Sequence, residues 1–337
     1  MGTRRDPVDR AADESTDLYD VSTWEPRSAV DVVAAVLYRG LTYGLRTIVI
    51  VTAALITVSL LATPAVVVAE EPLISVFFGL STVPALALAA YIWYADITTS
   101  EPLSLLVATF VLAVLFATFG AVVNAVGGSF VQPIPVVGSV LFFYLIVGPV
   151  EETVKLLAVR VLAYRSDSFD AVIDGAVYGA VAGLGFAAIE NAVYIAGYVA
   201  DVSPEAGLFT AASGIATLRA LVGPGHVIYS AIAGYYLGLA KFNPQYAGPL
   251  VVKGLLVASF VHATYNTTVG VVPNAIASLY PISSEVAFVG YVVVYDLAIG
   301  YYLYRKIARY RRLYRASGAD GNDDLSSELT EFEPPQR

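Results

Sequence analysis

The sequence predicts an all-α polytopic membrane protein with about eight transmembrane helices and one broken or re-entrant segment. The chain of 337 residues is 57% hydrophobic and only 14% charged, whereas about a quarter of the residues in a soluble domain are charged. Its mean hydropathy is +0.70. Several apolar runs are long enough to cross a ~30 Å hydrocarbon core as helices. Among the loops between these runs, only alternate loops contain Lys or Arg, as expected when the loops alternate across a membrane.

Each predicted span is a run of roughly 20 apolar residues or more. The regular runs are 47–69, 73–95, 103–126, 136–162, 171–199, 248–269 and 284–304. The run 207–240 is different, because a single helix of that length would extend ~51 Å. Gly223-Pro224-Gly225 lies near its midpoint, and such a cluster ends or kinks a helix. We therefore expect a re-entrant or tilted segment over 207–222, with 223–240 continuing to the cytosol.

Charge placement predicts a multi-pass protein of the cell membrane with both termini in the cytosol. Arg165 and Lys241 lie in predicted inner loops, and the basic segment 305–315 follows the last span. The predicted outer loops contain no Lys or Arg; they lie near residues 70, 130, 203 and 275. This distribution follows the positive-inside rule.

Composition limits the chemistry and the environment. The chain has no Cys, which excludes disulfides and thiolate chemistry. Its net charge of −9 is concentrated in two acidic, polar ends that are typical of solvated tails. This acidic excess, with abundant Ala and Val, resembles the composition of proteins from high-salt environments.

Ionisable side chains inside the spans indicate a functional site. Each costs several kcal/mol at that depth unless it is paired or faces a wet cavity. Glu151 and Glu152 lie four and three residues before Lys155, so one intrahelical ion pair leaves the other carboxylate without a partner. The chain has only two histidines, His226 and His262, and both fall within predicted spans.

These groups lie at similar predicted depths. Measured from the cytosolic helix ends at 1.5 Å per residue, Glu151 is ~18 Å deep, the two histidines ~21 Å and Glu190 ~28 Å. Asn191 follows Glu190 directly, and Asn266 shares a helix face with His262. One shared wet cavity would satisfy all of these groups.

Other polar residues in the spans have structural interpretations. Asp174 and Lys253 are close to predicted cytosolic helix ends, where they can be hydrated. Asp296 could be a helix-packing partner, and Arg219 could pair with a carboxylate or lie at the outer interface. The glycines spaced four apart over 175–183 predict close helix packing.

Two kinds of hydrolytic chemistry fit the cluster. A buried carboxylate beside a second one can be the general base for water, and His and Asn donors can stabilise a tetrahedral oxyanion. Alternatively, His226, His262 and a Glu could hold Zn²⁺ with one position left for water, although HExxH spacing is absent.

Two other classes of protein remain as alternatives to a hydrolase. A proton- or ion-coupled transporter uses similar residues and broken helices, and a catalytically silent membrane scaffold could have the same fold.

Four motifs resemble those of the PrsW family of intramembrane proteases, which is distantly similar to the CAAX prenyl proteases. They are EETVK (151–155), FAAIE (186–190) followed by Asn, GPGHVIYSAIAGYYLG (223–238) and HATYN (262–266). The resemblance extends from about residue 85 to 270 and includes YIWYADITTSEP (91–102). The order and spacing of the motifs carry it, because each motif alone is short.

The resemblance implies roles for individual residues. A glutamate of the 151/152 pair would be the base, while His226, His262 and Asn266 would bind the oxyanion or a metal. Glu190 would support the site and could join the two histidines as a metal ligand. The further supporting residues would be Lys155, Asn191 and Phe186. No cofactor is certain, and Zn is the candidate.

The resemblance also implies partners, while the apolar runs and the polar ends predict the domain boundaries. The substrate would be a single-span membrane protein or a membrane-proximal peptide that enters laterally from the lipid bilayer, and no nucleic acid is expected. The protease-like transmembrane domain would be 47–304. An acidic cytosolic tail and a lead-in helix would precede it (1–46), and a basic then acidic cytosolic tail would follow (305–337).

Overall fold

The structure is a computed structural model that describes residues 17, 25–98, 100–202 and 207–316. Most of both predicted acidic tails lies outside the described residues. These parts are 1–16, 18–24 and 317–337, and the loop 203–206 also lies outside. Within the described ranges the chain is helical and contains no strand, which confirms the all-α prediction. The chain divides into two compact units, Met1–Leu55 and Ile56–Arg337, and the candidate site lies in the second.

Ten α-helices are described, and the second part of the chain contains most of them. They are α1 (Ala29–Glu70), α2 (Ile74–Tyr94), α3 (Leu103–Val131), α4 (Gly138–Leu141), α5 (Gly148–Val161), α6 (Val172–Ala200), α7 (Leu208–Phe242), α8 (Ala247–Thr268), α9 (Val272–Leu279) and α10 (Ser284–Ala316). Helices α6 and α7 pack extensively against each other, and α2, α3 and α8 surround them.

Six of the described helices are long and apolar enough to cross a membrane: α2, α3, α6, α7, α8 with its preceding turn, and α10. The predicted number of about eight remains a prediction. Helix α5 has only 14 residues and carries Glu151, Glu152 and Lys155, and Ala54–Glu70 is a shorter apolar stretch.

The predicted break at Gly223-Pro224-Gly225 is wrong, because α7 is one continuous helix with Pro224 inside it. A proline removes one backbone donor, but packed neighbouring helices compensate for this in membrane bundles. A Cβ added at Gly223 would lie 3.2 Å from Ala85 Cβ, and one at Gly225 would lie 3.0 Å from the Tyr229 hydroxyl. These two glycines therefore provide room for close packing. The predicted re-entrant path remains a prediction.

The irregular helix lies in the predicted span 136–162. Between α4 and α5, Phe142–Val147 is π-helical. Pro149 follows it, and in a regular α-helix its ring would clash with the carbonyl four residues earlier. A π-helical turn changes this register, and such turns are frequent at functional sites. Glu151 and Glu152 lie four and five residues after its end.

The glycine repeat 175–183 packs α6 against α7, as the sequence predicts. Added Cβ atoms at Gly175, Gly179 and Gly183 would lie 2.2, 2.3 and 2.4 Å from the carbonyl oxygens of Gly234, Ser230 and His226. Partner numbers fall along α7 as they rise along α6, so the two helices are antiparallel. The contact at Gly183 places the His226 backbone against the α6 face that continues to Phe186 and Glu190.

Candidate active site

A cavity of about 450 Å³ opens among α3, the π-helical segment, α5, α6, α7 and α8. Most of its lining is apolar. The side chains that bring polar groups to it include Asn124, Glu151, Glu190, Arg219, His226, His262 and Asn266. Five of the six residues predicted to be catalytic therefore line one cavity, and the sixth, Glu152, lies behind it.

Glu152 forms the buried centre of the polar network. It is 1% exposed, and its Oε1 accepts hydrogen bonds from Lys155 Nζ at 2.7 Å and from His262 Nδ1 at 2.8 Å. Glu152 is thus ion-paired within α5 and linked to α8. These contacts fix the orientation of the His262 ring.

Glu151 has a different environment although it is the adjacent residue. Asn124 Nδ2 donates to its Oε1 at 3.0 Å. Its Oε2 is 3.7 Å from His262 Nε2 and 3.9 Å from Lys155 Nζ. Each of the two glutamates has an Oε2 that is buried without a hydrogen-bond partner in the described structure, but of the two only Glu151 lines the cavity.

The hydrogen bonds assign the tautomers of both histidines. An ammonium group can only donate, so the 3.0 Å contact from Lys155 Nζ makes His226 Nδ1 an acceptor. His226 Nε2–H then donates to Glu190 Oε2 at 2.9 Å. His262 Nδ1–H donates to Glu152, which places Nε2 of the same ring 3.7 Å from Glu151 Oε2.

Arg219 closes the other side of the site by pairing with a carboxylate. This is one of the two roles that the sequence suggested for it. Its Nη2 donates to Glu190 Oε2, and its Nε donates to Asn191 Oδ1 at 2.9 Å. The amide of Asn191 continues to the backbone carbonyl of Ser81 on α2 at 3.1 Å. This chain of contacts fixes Glu190 in place through α2, α6 and α7.

Phe186 supplies an aromatic wall to the network. The Lys155 ammonium lies 4.2 Å from the centre of its ring, a distance suited to a cation–π contact. Its ring centre is 5.3 Å from that of His226.

Asn124 was not among the site residues predicted from the sequence, although it is a lone amide in the apolar run 103–126 and such a residue is a usable signal.

Glu151, His226 and His262 are suited to holding a metal ion, since their ligand atoms all lie within 4.8 Å of one another. One carboxylate and two imidazoles form a ligand set of catalytic zinc. Glu151 Oε2 has no hydrogen-bond partner in the described structure, and His262 Nε2 lies 3.7 Å from it. His226 would need to release either Lys155 or Glu190 to bind a metal. Glu190, the carboxylate expected from the resemblance, is instead engaged by Arg219 and His226.

A second group of carboxylates, Asp96, Glu101 and Asp174, lies at the other end of α6. Their ligand atoms also lie within 4.8 Å of one another. Burial and the charge of Asp96 raise the pKa of Glu101, which is outside the spanning helices, to about 8. Asp174 is fully buried, so it is not the hydrated end residue that the sequence predicts.

The fold and the site define a multi-pass membrane protein with a buried cluster of carboxylate, imidazole and ammonium groups. Residues 101–298, more than half of the chain, match the family model described as "PrsW family intramembrane metalloprotease". The chain belongs to this family, and it is an intramembrane protease.

Curated relatives agree with this assignment. Protease PrsW of Bacillus subtilis is 29% identical over 206 residues, which cover 59% of this chain and 84% of that protein. Protease PrsW of Oceanobacillus iheyensis is 31% identical over 185 residues, covering 54% of this chain and 78% of that protein. No solved structure matches the chain.

Proposed function

We propose that this protein hydrolyses peptide bonds of membrane-anchored proteins in or near the bilayer, with Glu151 as the base that activates water. The observation that carries the proposal is the Oε2 atom of Glu151, which has no hydrogen-bond partner in the described structure and belongs to a residue that lines the cavity. A base must be within hydrogen-bond reach of the proton that it removes.

Glu152 is the positioning residue in this proposal. Its ion pair with Lys155 favours the ionised form, and its bond to His262 Nδ1 directs His262 Nε2 toward Glu151. A carboxylate with both of these tasks has little freedom to exchange protons during turnover. The division of roles supports Glu151 as the base.

The proposed reaction needs only groups that line the cavity. Water oxygen attacks the scissile carbonyl carbon while Glu151 takes a proton from the water. Asn266 can donate its amide N–H to the developing oxyanion, and His226 Nε2–H can do so if it leaves Glu190. Glu151 then returns the proton to the departing amine nitrogen as the carbon–nitrogen bond breaks.

The family description names a metalloprotease, and the alternative role of Glu151 is that of a metal ligand beside His226 and His262. When bound there, Zn²⁺ would supply Lewis-acid polarisation of a water or a carbonyl oxygen. In that case Glu151 would not be the free base, so metal removal separates the two roles.

We further propose that the substrate is a single-span membrane protein or a membrane-proximal peptide that enters between helices from the lipid bilayer. The cavity lies among helices that are long and apolar enough to span. We also propose that the protein resides in the cell membrane with both termini cytosolic.

The test is cleavage of co-expressed single-span proteins by wild type, His262→Ala and the control Lys253→Ala, whose side chain is exposed. We expect wild type and the control to cut and His262→Ala to lose at least about 100-fold. Normal cleavage by His262→Ala would refute the proposed site. Proton-dependent flux in proteoliposomes without cleavage of any candidate would favour a transporter.

Phenanthroline with the purified enzyme separates the mechanisms. If Glu151 is a free base, the chelator leaves the cleavage rate unchanged. Loss of activity that added Zn²⁺ restores would assign Glu151, His226 and His262 to the metal.

A further inference from the structure

The carboxylates of Asp96, Glu101 and Asp174 converge where the α2–α3 connection meets the first turn of α6. Asp96 and Glu101 belong to the connection, and Asp174 belongs to the helix. Each residue offers an oxygen that lies within 4.8 Å of the oxygens offered by the other two. The sequence predicts this end of the helices to be cytosolic.

Local hydrogen bonds hold two of these side chains and leave oxygens for a ligand. Asp96 Oδ1 accepts from the Thr98 N–H and hydroxyl at 2.8 and 2.7 Å, whereas its Oδ2 is buried without a partner. Asp174 Oδ2 accepts the backbone N–H groups of Asp170 and Ala171 at 2.7 and 2.8 Å. Its Oδ1 has only a long 3.4 Å contact with Thr98.

Glu101 is the observation that points to a ligand. Its side chain is only 5% exposed, and both of its carboxylate oxygens are buried without a hydrogen-bond partner. Within residues 25–98, 100–202 and 207–316, no Lys or Arg forms a salt bridge with any of the three carboxylates. Lys241, at the end of α7, donates instead to the carbonyls of Tyr164 and Ser166.

Burial and the charge of Asp96 keep the Glu101 carboxyl largely protonated at neutral pH while no ligand is bound, as its pKa of about 8 indicates. A bound cation would allow it to ionise and become a ligand. The hydroxyl of Tyr178, one turn after Asp174 on α6, is also buried without a partner among the described residues. All of the free atoms at this site are oxygens, the ligands that hard cations prefer. Two oxygens on opposite sides of Mg²⁺ or Ca²⁺ lie about 4–5 Å apart, which is the largest separation that one ion allows. The three carboxylate oxygens lie within 4.8 Å of one another, so they are close enough to share an ion.

We propose that Asp96, Glu101 and Asp174 bind a hard divalent cation, Mg²⁺ or Ca²⁺, that ties the α2–α3 connection to the start of α6. The site is separate from the candidate active site, because Asp174 and Glu190 are about 24 Å apart along α6. The proposal does not depend on the proposed function. A chelator of hard cations such as EDTA would then act on this protein at a place other than its catalytic residues, whereas phenanthroline, which prefers transition metals, would leave this ion bound.

The test is thermal unfolding of the full chain in detergent after EDTA treatment, with Mg²⁺ or Ca²⁺ added back. We compare wild type with Glu101→Gln and with the control Asp167→Asn, an exposed acid in the α5–α6 loop. We expect a saturable rise in Tm of about 5 °C for wild type and the control, and no rise for Glu101→Gln. In the absence of the cation, Glu101→Gln should have a Tm equal to that of wild type or higher, because a neutral amide replaces a buried acid that is already largely protonated.

A saturable response that Glu101→Gln retains would overturn the proposal, as would a wild type that does not respond to either cation. Glu151→Gln serves as the second comparison. Retention of the cation response in this variant supports a separate site. Loss of the response there, with retention in Glu101→Gln, would place the ion at the candidate active site and refute the proposal.

Discussion

Glu151 and Glu152 are neighbours in the chain, yet the helix directs their side chains about 100° apart. Glu152 points into the buried pair with Lys155 and His262, and Glu151 lines the cavity. The spacing to Lys155 predicts that one glutamate is paired. It could not show which one, because that depends on His262, which is 110 residues away in the chain.

Lys155→Met should destabilise the protein by about 3–5 kcal/mol, because it leaves the Glu152 carboxylate buried without its cation. Denaturant or thermal unfolding in detergent measures the change. Lys253→Met is the matched control, since that lysine is exposed, and its effect should stay within about 0.5 kcal/mol. Equal stability of both variants would show that the ion pair of Lys155 with Glu152 contributes little to the free energy of unfolding.

Asn124→Ala should lower kcat by about fivefold with little change in KM, because Asn124 orients Glu151 through its Oε1 and one hydrogen bond contributes roughly 1 kcal/mol. The rate of substrate cleavage measures this effect. Ser129→Ala, an exposed position on the same helix, is the control and should leave kcat unchanged. An unchanged kcat in Asn124→Ala would remove this residue from the site.

At the scale of elements, the sequence predicts most helices but misjudges their irregularities. The apolar runs and the glycine repeat 175–183 were sufficient to predict spans and close packing. The local preferences of Gly223 and Pro224 indicated a break, but α7 continues through them because packing with α2 and α6 outweighs local propensity. The π-helical turn before Pro149 could not be located, since its register depends on the surrounding helices.

Gly179→Ala should destabilise the protein by about 1–3 kcal/mol, because the Cβ of the introduced alanine would lie 2.3 Å from the carbonyl oxygen of Ser230. Gly197→Ala on the same helix meets nothing within 4 Å, so it should be neutral or stabilising by up to about 1 kcal/mol. Unfolding of both variants under the same conditions tests the α6–α7 packing. Similar stability of the two variants would contradict it.

At the scale of the whole molecule, the residues of the site could be nominated from the sequence because ionisable groups are costly in an apolar span. Their pairwise contacts could not be predicted from the sequence. Arg219 could have paired with a carboxylate or reached the interface, and only the fold shows that it contacts Glu190 and Asn191. The transmembrane orientation remains a prediction from Arg165, Lys241 and the basic segment 305–315.

Single introduced cysteines test that orientation cleanly, because the natural chain contains no Cys. A membrane-impermeant maleimide added to intact cells should label cysteines at Gln132 and Asn274 but not at Asp167 and Gln245. All four positions are exposed in the structure, so labelling after lysis should reach every one of them. The opposite pattern in intact cells would invert the predicted topology.

The most direct test of the central claim is the cleavage rate of purified Glu151→Gln, measured together with its thermal unfolding. We expect the rate to fall by about 10²–10⁴-fold, while Tm stays equal to that of wild type or rises, because a buried carboxylate with an oxygen lacking a partner has been neutralised. Cleavage within tenfold of the wild-type rate by a folded Glu151→Gln enzyme would contradict the assignment of Glu151 as the residue that activates water.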